Sequence, residues 1–244
     1  MTVSAIETVG LHKSYGEKEV LRPLNLVVES GEIYGLLGHN GAGKTTTVRL
    51  LTTLLSPSGG SAFVGGIPIA LAPADARHII GYLPENVQFY DNLTLLENLL
   101  FFGKLSGLRR PLLRIQEVLH MLDFTGFEKK KLGTFSKGMR QRVGLAQAIL
   151  HDPKVLFLDE PTTGLDPEGI RTLRELIISL NRDHGLTIFM NTHLLSEVTK
   201  TCTSIGILRN GELIHSDTLV NTLTKFPGQE SLEQAYFSLE TSEV

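Results

Sequence analysis

The chain has 244 residues, 41% hydrophobic and 20% charged, with a formal net charge of -3 from 23 Lys+Arg against 26 Asp+Glu. This suits one large globular domain or two small ones and excludes wholesale disorder; the mildly acidic balance lacks the diffuse basic field of a nucleic-acid binder. A lone Cys202 excludes a disulfide framework and a Cys-rich metal site. No apolar run approaches the roughly 18 residues that span a bilayer, and residues 1–10 hold neither a basic residue nor an apolar block. The expectation is a soluble intracellular protein without a secretion signal, whose membrane role would come through a partner.

In chain order, apolar alternation over residues 24–28, a polar turn at Ser30 and Gly31, and residues 33–37 predict two strands. A glycine-rich loop follows, and residues 45–55 predict a helix stopped near Pro57 and Gly59. Residues 61–64 and 79–83 predict further strands. From Thr94 onward the period becomes helical: Leu95, Leu96, Leu99 and Leu100 share one stripe, and Leu112, Ile115, Leu119 and Leu122 another. Strands return at residues 155–158 and 187–191, with Ile170, Leu173, Leu176, Ile177 and Leu180 tracing a helix face between them. Asn210 and Gly211, between residues 205–208 and 213–214, are a hairpin signal that requires positive φ. Residues 231–239 predict a short tail helix. Strands separated by helices predict an α/β fold with a mainly parallel, doubly wound sheet and a helical insertion.

Gly38, His39, Asn40, Gly41, Ala42, Gly43, Lys44 and Thr45 match G-x-x-x-x-G-K-[ST] between a predicted strand and a predicted helix, which Thr46 continues. Glycines let the backbone curl so that N–H groups converge on phosphate oxygens, and the helix N-terminus adds partial positive charge. Lys44 is long enough to reach the β- and γ-phosphates, the Thr45 hydroxyl suits Mg²⁺, and His39 fills the loop rather than ligating. The bland alternative, a glycine-rich turn, requires a chance match on the order of one per cent. Residues 155–158 are four consecutive apolar residues ending in Asp159 and Glu160. A strand buried on both faces places these carboxylates at the carboxyl edge of the sheet, Asp159 to hold Mg²⁺ through water and Glu160 to orient or deprotonate an attacking water.

Further segments then line up in order: residues 134–142 before a helix, Pro161 and Thr162 after the acidic pair, Gly164-Leu165-Asp166, and Asn191-Thr192-His193 at a strand end. With the phosphate loop they closely resemble the ATP-binding subunit of ATP-binding-cassette (ABC) transporters, from about Thr8 to about His215. The resemblance implies a RecA-like P-loop core with an N-terminal antiparallel β portion and an α-helical insertion. It implies a single domain over residues 1–244: a nucleotide-binding core of residues 1–90 and 151–215, a helical part of residues 91–150 carrying the signature segment, and a helical tail of residues 216–244. It further implies that Tyr15 stacks on adenine, that Ser136 and Gly138 meet the γ-phosphate of ATP held by an opposite subunit, that Asp166 crosses the dimer interface, and that His193 contacts γ-phosphate beside the catalytic Glu160. Read without the family, Ser136 is a good helix N-cap and His193 a structural strand-end histidine.

Two positions depart from the family pattern. Phe135-Ser136-Lys137-Gly138-Met139 stands where Leu-Ser-Gly-Gly-Gln is usual, and Glu85 stands for a glutamine, as a metal-proximal oxygen donor with Gln88 the alternative in another loop register. Both departures resemble the export-type (ABC-2) branch, and residues 38–41 and 83–90 are similar to the ATPase of the transporter serving copper-site maturation of nitrous-oxide reductase. The implied cofactors are ATP and Mg²⁺. The implied partners are an integral-membrane permease and a second copy of the chain, head to tail around two ATP, on the cytoplasmic face of the membrane, with no nucleic acid. Implied cargoes are a drug, lipid or polysaccharide for export, or a copper- or sulfur-related species. The competing classes are a soluble ABC ATPase acting on DNA or ribosomes, and a GTPase or kinase sharing only the phosphate loop.

Overall fold

Two sheets share one layer of core between them. The computed structural model describes residues 4–225 and 232–241. β1 (Ser4–Tyr15) and β2 (Lys18–Glu29) form a hairpin, followed by β3 (Ile33–Leu37) and α1 (Lys44–Leu51). β4 (Gly59–Val64) and β5 (Ile67–Pro68) complete a four-stranded antiparallel sheet in the order β2-β1-β4-β5. α2 (Pro73–Ile79) leads into β6 (Ile80–Leu83), and α3 (Leu95–Leu105), α4 (Pro111–Met121) and α5 (Lys137–Ile149) follow. Then come β7 (Val155–Asp159), α6 (Pro167–His184), β8 (Thr187–Thr192), α7 (Leu195–Thr201), β9 (Ser204–Arg209), β10 (Glu212–Thr218), α8 (Leu219–Lys225) and α9 (Leu232–Thr241). The second sheet runs β10-β9-β3-β8-β7-β6, parallel except for β10. The expected mainly parallel α/β architecture is therefore present. Among the described residues no helix is long and apolar enough to cross a membrane.

Every residue of β3, β7 and β8 is buried, because both faces of the parallel sheet are covered. On one face Leu11, Leu24 and Val28 of the small sheet close over Leu50, Leu51 and Phe157, with Tyr34 stacked on Phe189 at 5.4 Å. On the other, the helices bring Leu99, Leu119, Val143 and Leu173 against Leu156 and Ile188. Strand register sets the edge that matters: Leu37 is level with Thr192, Asp159 with Asn191, and Leu83 with Leu158. The carboxyl ends of β3, β8, β7 and β6 thus finish side by side, where open α/β sheets bind ligands.

Three local expectations shift. The helix expected to Leu55 ends at Leu51: the Thr52 hydroxyl donates to the Val48 carbonyl at 2.8 Å and Thr53 turns to φ 62°. Leu112, placed on the buried stripe, is exposed on the first turn of α4, while Ile115, Leu119 and Leu122 are buried. β1 extends over residues for which periodicity announces no strand, since register shifts at Thr8/Leu11 and Leu11/Lys13 break its alternation. The Asn210-Gly211 hairpin forms as expected, at φ 49° and 81°. The start of the tail helix at Ser231, and residues 1–3 and 242–244 of the expected domain, lie outside the described residues.

Candidate functional site

The loop between β3 and α1 is held open by its own lysine. Lys44 Nζ donates to the Gly38 carbonyl at 2.7 Å and to that of His39 at 3.2 Å, curling the chain around the ammonium. Gly43 sits at φ 107°, where a Cβ would also lie 2.9 Å from the Val20 carbonyl oxygen, and a Cβ on Gly38 would run into the Leu208 carbonyl. From below, the Gly211 N–H of the β9–β10 turn donates to Ala42 O at 2.9 Å, and Gly211 O accepts from Arg22 N at 2.8 Å. Helix α1 starts at Gly43 with no side-chain cap and no acidic residue in its first turn, so its N–H groups and dipole are available to an anion. Burial pushes the Lys44 pKa down, opposed by the Glu160 carboxylate.

At the end of β7, Asp159 is buried and fully engaged. Its carboxylate accepts from Asn191 Nδ2 at 2.7 Å, Thr45 Oγ1 at 3.2 Å and the Tyr82 hydroxyl at 3.3 Å. Burial first, and Asp159 second, push the Tyr82 hydroxyl up to about 12, so it stays a donor. Glu160 adopts φ 48°, a left-handed conformation worth about 1–3 kcal/mol of strain in a non-glycine residue. Asn191 holds it there: the Glu160 N–H donates to Asn191 Oδ1 at 2.9 Å and to Asn191 O at 3.2 Å. The Glu160 carboxylate then bridges, Oε1 3.7 Å from Lys44 Nζ and Oε2 2.8 Å from His193 Nδ1.

Lys44, Thr45, Glu160 and His193 line a cleft of about 430 Å³, whose walls also include Asn40, Gly41, Gly43, Thr46, Glu85 and Thr163. Asp159 stands behind that wall, bonded to Thr45. The Thr163 hydroxyl is buried there without a hydrogen-bond partner. An unpaired buried hydroxyl costs about 1–3 kcal/mol, which a phosphate oxygen in the cleft would relieve. The cleft's donors, cation and size therefore fit a nucleotide's phosphates. Thr45 and Asp159 offer hard oxygens to a divalent cation, and no group of three or more His, Cys, Asp or Glu among the described residues forms a closed metal cage. The two hard oxygens match the donor type that Mg²⁺ takes.

The other expected residues stand apart. Ser136 is the N-cap of α5, accepting from Met139 N at 3.3 Å, and Gly138 lies next to Gly169 and Leu165; neither lines the cleft. Lys137 lays its ammonium on Gly164, and Asp166 caps α6 by accepting from Gly169 N at 2.9 Å. Tyr15 is 53% exposed at the β1–β2 hairpin, with the Lys13 ammonium 5.1 Å from its ring centre. Gly38 and Ala42 serve through their carbonyls, and His39 Nδ1 turns to Asn40 O at 2.8 Å. Gln88 is exposed and absent from the cleft wall, whereas Glu85 is part of it. Sequence reasoning assigned no role to Asn191, Tyr82 or Thr163; only strand register brings the first two to Asp159.

The family described as ABC transporter matches residues 21–163. An uncharacterized ABC transporter ATP-binding protein of Synechocystis is 45% identical over 87% of this chain and 60% of its own length. The bacitracin transport ATP-binding protein BcrA of Bacillus licheniformis is 43% identical over 86% of this chain and 68% of its own length. The chain thus spans between three fifths and about two thirds of these relatives. Among solved structures, an ATP-binding subunit of an ABC transporter superposes with TM-score 0.84 at 32% identity, covering 96% of this chain and 99% of that one. A dimeric post-hydrolysis state of the ATP-binding cassette MJ0796, bound to ADP and Pi, gives TM-score 0.77 at 25% identity over 88% and 98%.

Proposed function

The chain belongs to the ABC transporter family, among its ATP-binding proteins, and on that premise we propose that it hydrolyses ATP to energise transport through a separate membrane permease. The observation that carries the reading is the Glu160 carboxylate, fixed between Lys44 and His193 at the wall of a phosphate-sized cleft. Residues 38–46 cradle the phosphates, and Lys44 neutralises their charge where water is excluded. Glu160 takes the proton of the attacking water, and His193 holds the carboxylate in place and faces the terminal phosphate. Thr45 and Asp159, with Glu85 nearby, would hold Mg²⁺, whose charge would offset that of the phosphates. Tyr15, exposed on its hairpin, is free to stack on adenine.

Ser136, Gly138 and Asp166 lie outside the wall of this cleft, which supports a head-to-tail pair of chains in which each signature segment completes the other's site. The related cassette solved as a dimer with ADP and Pi supports the same arrangement. Residues 1–90 and 151–215 act as the nucleotide-binding core. Residues 91–150 and the loop around Glu85, with Tyr90 and Phe101 exposed, pass its movement to the permease from the cytoplasmic face of the membrane. The name of the bacitracin transport relative favours export of a drug, lipid or polysaccharide over action on DNA or ribosomes. The copper-site reading rests only on residues 38–41 and 83–90. Exchange of Glu160→Gln is the test: hydrolysis should fall by about 10²–10⁴ while ATP binding persists and a dimer accumulates in size exclusion. A monomer at saturating ATP would refute the paired arrangement.

A further inference from the structure

Two stretches far apart in sequence, residues 89–94 and 131–140, are stitched together beside the cleft but outside it. The Asp91 carbonyl accepts from Gly133 N at 3.0 Å, and its carboxylate accepts from Arg140 Nη1 at 2.6 Å. The same nitrogen donates to Leu132 O at 3.1 Å, Leu132 N donates to Leu93 O at 3.1 Å, and the guanidinium lies 5.6 Å from the Phe89 ring centre. Asn98 fixes the neighbouring residue, its amide accepting from Tyr90 N at 3.0 Å and donating to Tyr90 O at 3.1 Å. Tyr90 and Phe101, edge to face at 5.2 Å, form an exposed aromatic pair on this segment.

Arg140 is also one turn into α5, its backbone N–H bonded to the Ser136 carbonyl at 2.9 Å. Deeper in the helix, Gly144 lets α5 close on the start of the same loop, where a Cβ would come within 2.5 Å of Val87 and 2.6 Å of Leu83. The loop that begins at Glu85 in the cleft wall therefore ends clamped to the helix whose cap is Ser136.

We propose that Arg140 is a positioning residue: its pairing with Asp91 makes the exposed aromatic segment and Ser136 move as one piece, so that displacement of the first sets the aim of the second. This deepens the paired-site reading and rests on it. Asp91 is 61% exposed and Arg140 22%, so the carboxylate end of the pair is solvated and adds little to folding, while the guanidinium keeps its Leu132 and Phe89 contacts when Asp91 is neutralised. Its effect is geometric, and breaking it from the Asp91 side leaves the chain folded.

The test uses the Glu160→Gln chain, with fluorescent trinitrophenyl-ATP as the binding probe and sedimentation to follow ATP-driven dimerisation. Adding Asp91→Asn should leave probe affinity and melting temperature unchanged while raising the ATP concentration for half-dimerisation by about 5–50-fold. Arg140→Gln, which also gives up the Leu132 and Phe89 contacts, should do the same at unchanged probe affinity with a lower melting temperature. Arg140→Lys, which keeps a charge for Asp91, should recover dimerisation to within about 3-fold. If Arg140→Gln and Asp91→Asn dimerise at the same ATP concentration as their parent, or if probe affinity falls in step with dimerisation, the link is wrong. If the Glu160→Gln parent itself stays monomeric, the link falls together with the reading beneath it.

Discussion

In the cleft wall and just behind it, the functional side chains are one another's partners: Lys44 with Glu160, Glu160 with His193, Thr45 and Asn191 with Asp159. Around Ser136 the picture is inverted, for its hydroxyl oxygen makes one long cap contact and Gly138, without a side chain, lies next to Gly169 and Leu165. The cleft is organised by strands that finish level, so the cost of placing its charges is met when the chain folds. The Ser136 segment is presented at a helix start, where the serine Oγ accepts the Met139 N–H and stays exposed to whatever docks. One region is built to hold a ligand; the other, on the proposed pairing of two chains, would complete a neighbour's.

That contrast can be broken most directly at Lys44. Lys44→Ala removes a buried cation that also ties the loop to itself, and nucleotide affinity should fall by about 2–5 kcal/mol, at least 30-fold or so. Titration with labelled ATP reads this out, and near-normal hydrolysis would disprove the role of the loop. Ser136→Ala sharpens the contrast from the other side. Affinity of the single chain should stay unchanged while turnover falls about 10–100-fold, as expected for one lost hydrogen bond to a charged group. The lost cap should cost only about 1 kcal/mol in thermal unfolding. An equal loss of single-chain affinity would mean that Ser136 belongs to its own chain's cleft.

The smallest effect is expected outside both regions. His151 bonds Ile80 O at 2.8 Å through Nε2, and burial pushes its pKa below the usual 6.5. The unfolded chain then takes up a proton that the folded one resists, so stability is complete above that value and declines as pH falls through and below it. Melting temperature should therefore drop from about pH 7.5 to about pH 5.5, and less steeply in His151→Gln, with hydrolysis unaffected. An identical slope in the variant would discharge His151 from that role.

Much of the cleft was legible because its residues are contiguous: residues 38–45 and 155–160 carry spacing, hydrophobicity and charge in one line of text. Asn191 and Tyr82 were not, since they reach Asp159 only through pairing of β8 and β6 with β7. Thr163 carries no local signal at all; its orphaned hydroxyl is a property of packing. Helix α1 stops early because threonines compete for backbone carbonyls, and β1 hides behind its bulges. Strand β7, by contrast, was readable as an unbroken apolar run over residues 155–158.

The turn at Asn210 and Gly211 has a practical consequence. Hairpin tips are the customary place to splice in an epitope or a fluorophore, because they usually tolerate extra chain. Here the tip is wedged under residue 42 and beside Val20, where even a methyl group on Gly211 would approach that carbonyl to 2.7 Å. A label inserted there would be felt in the floor of the phosphate loop.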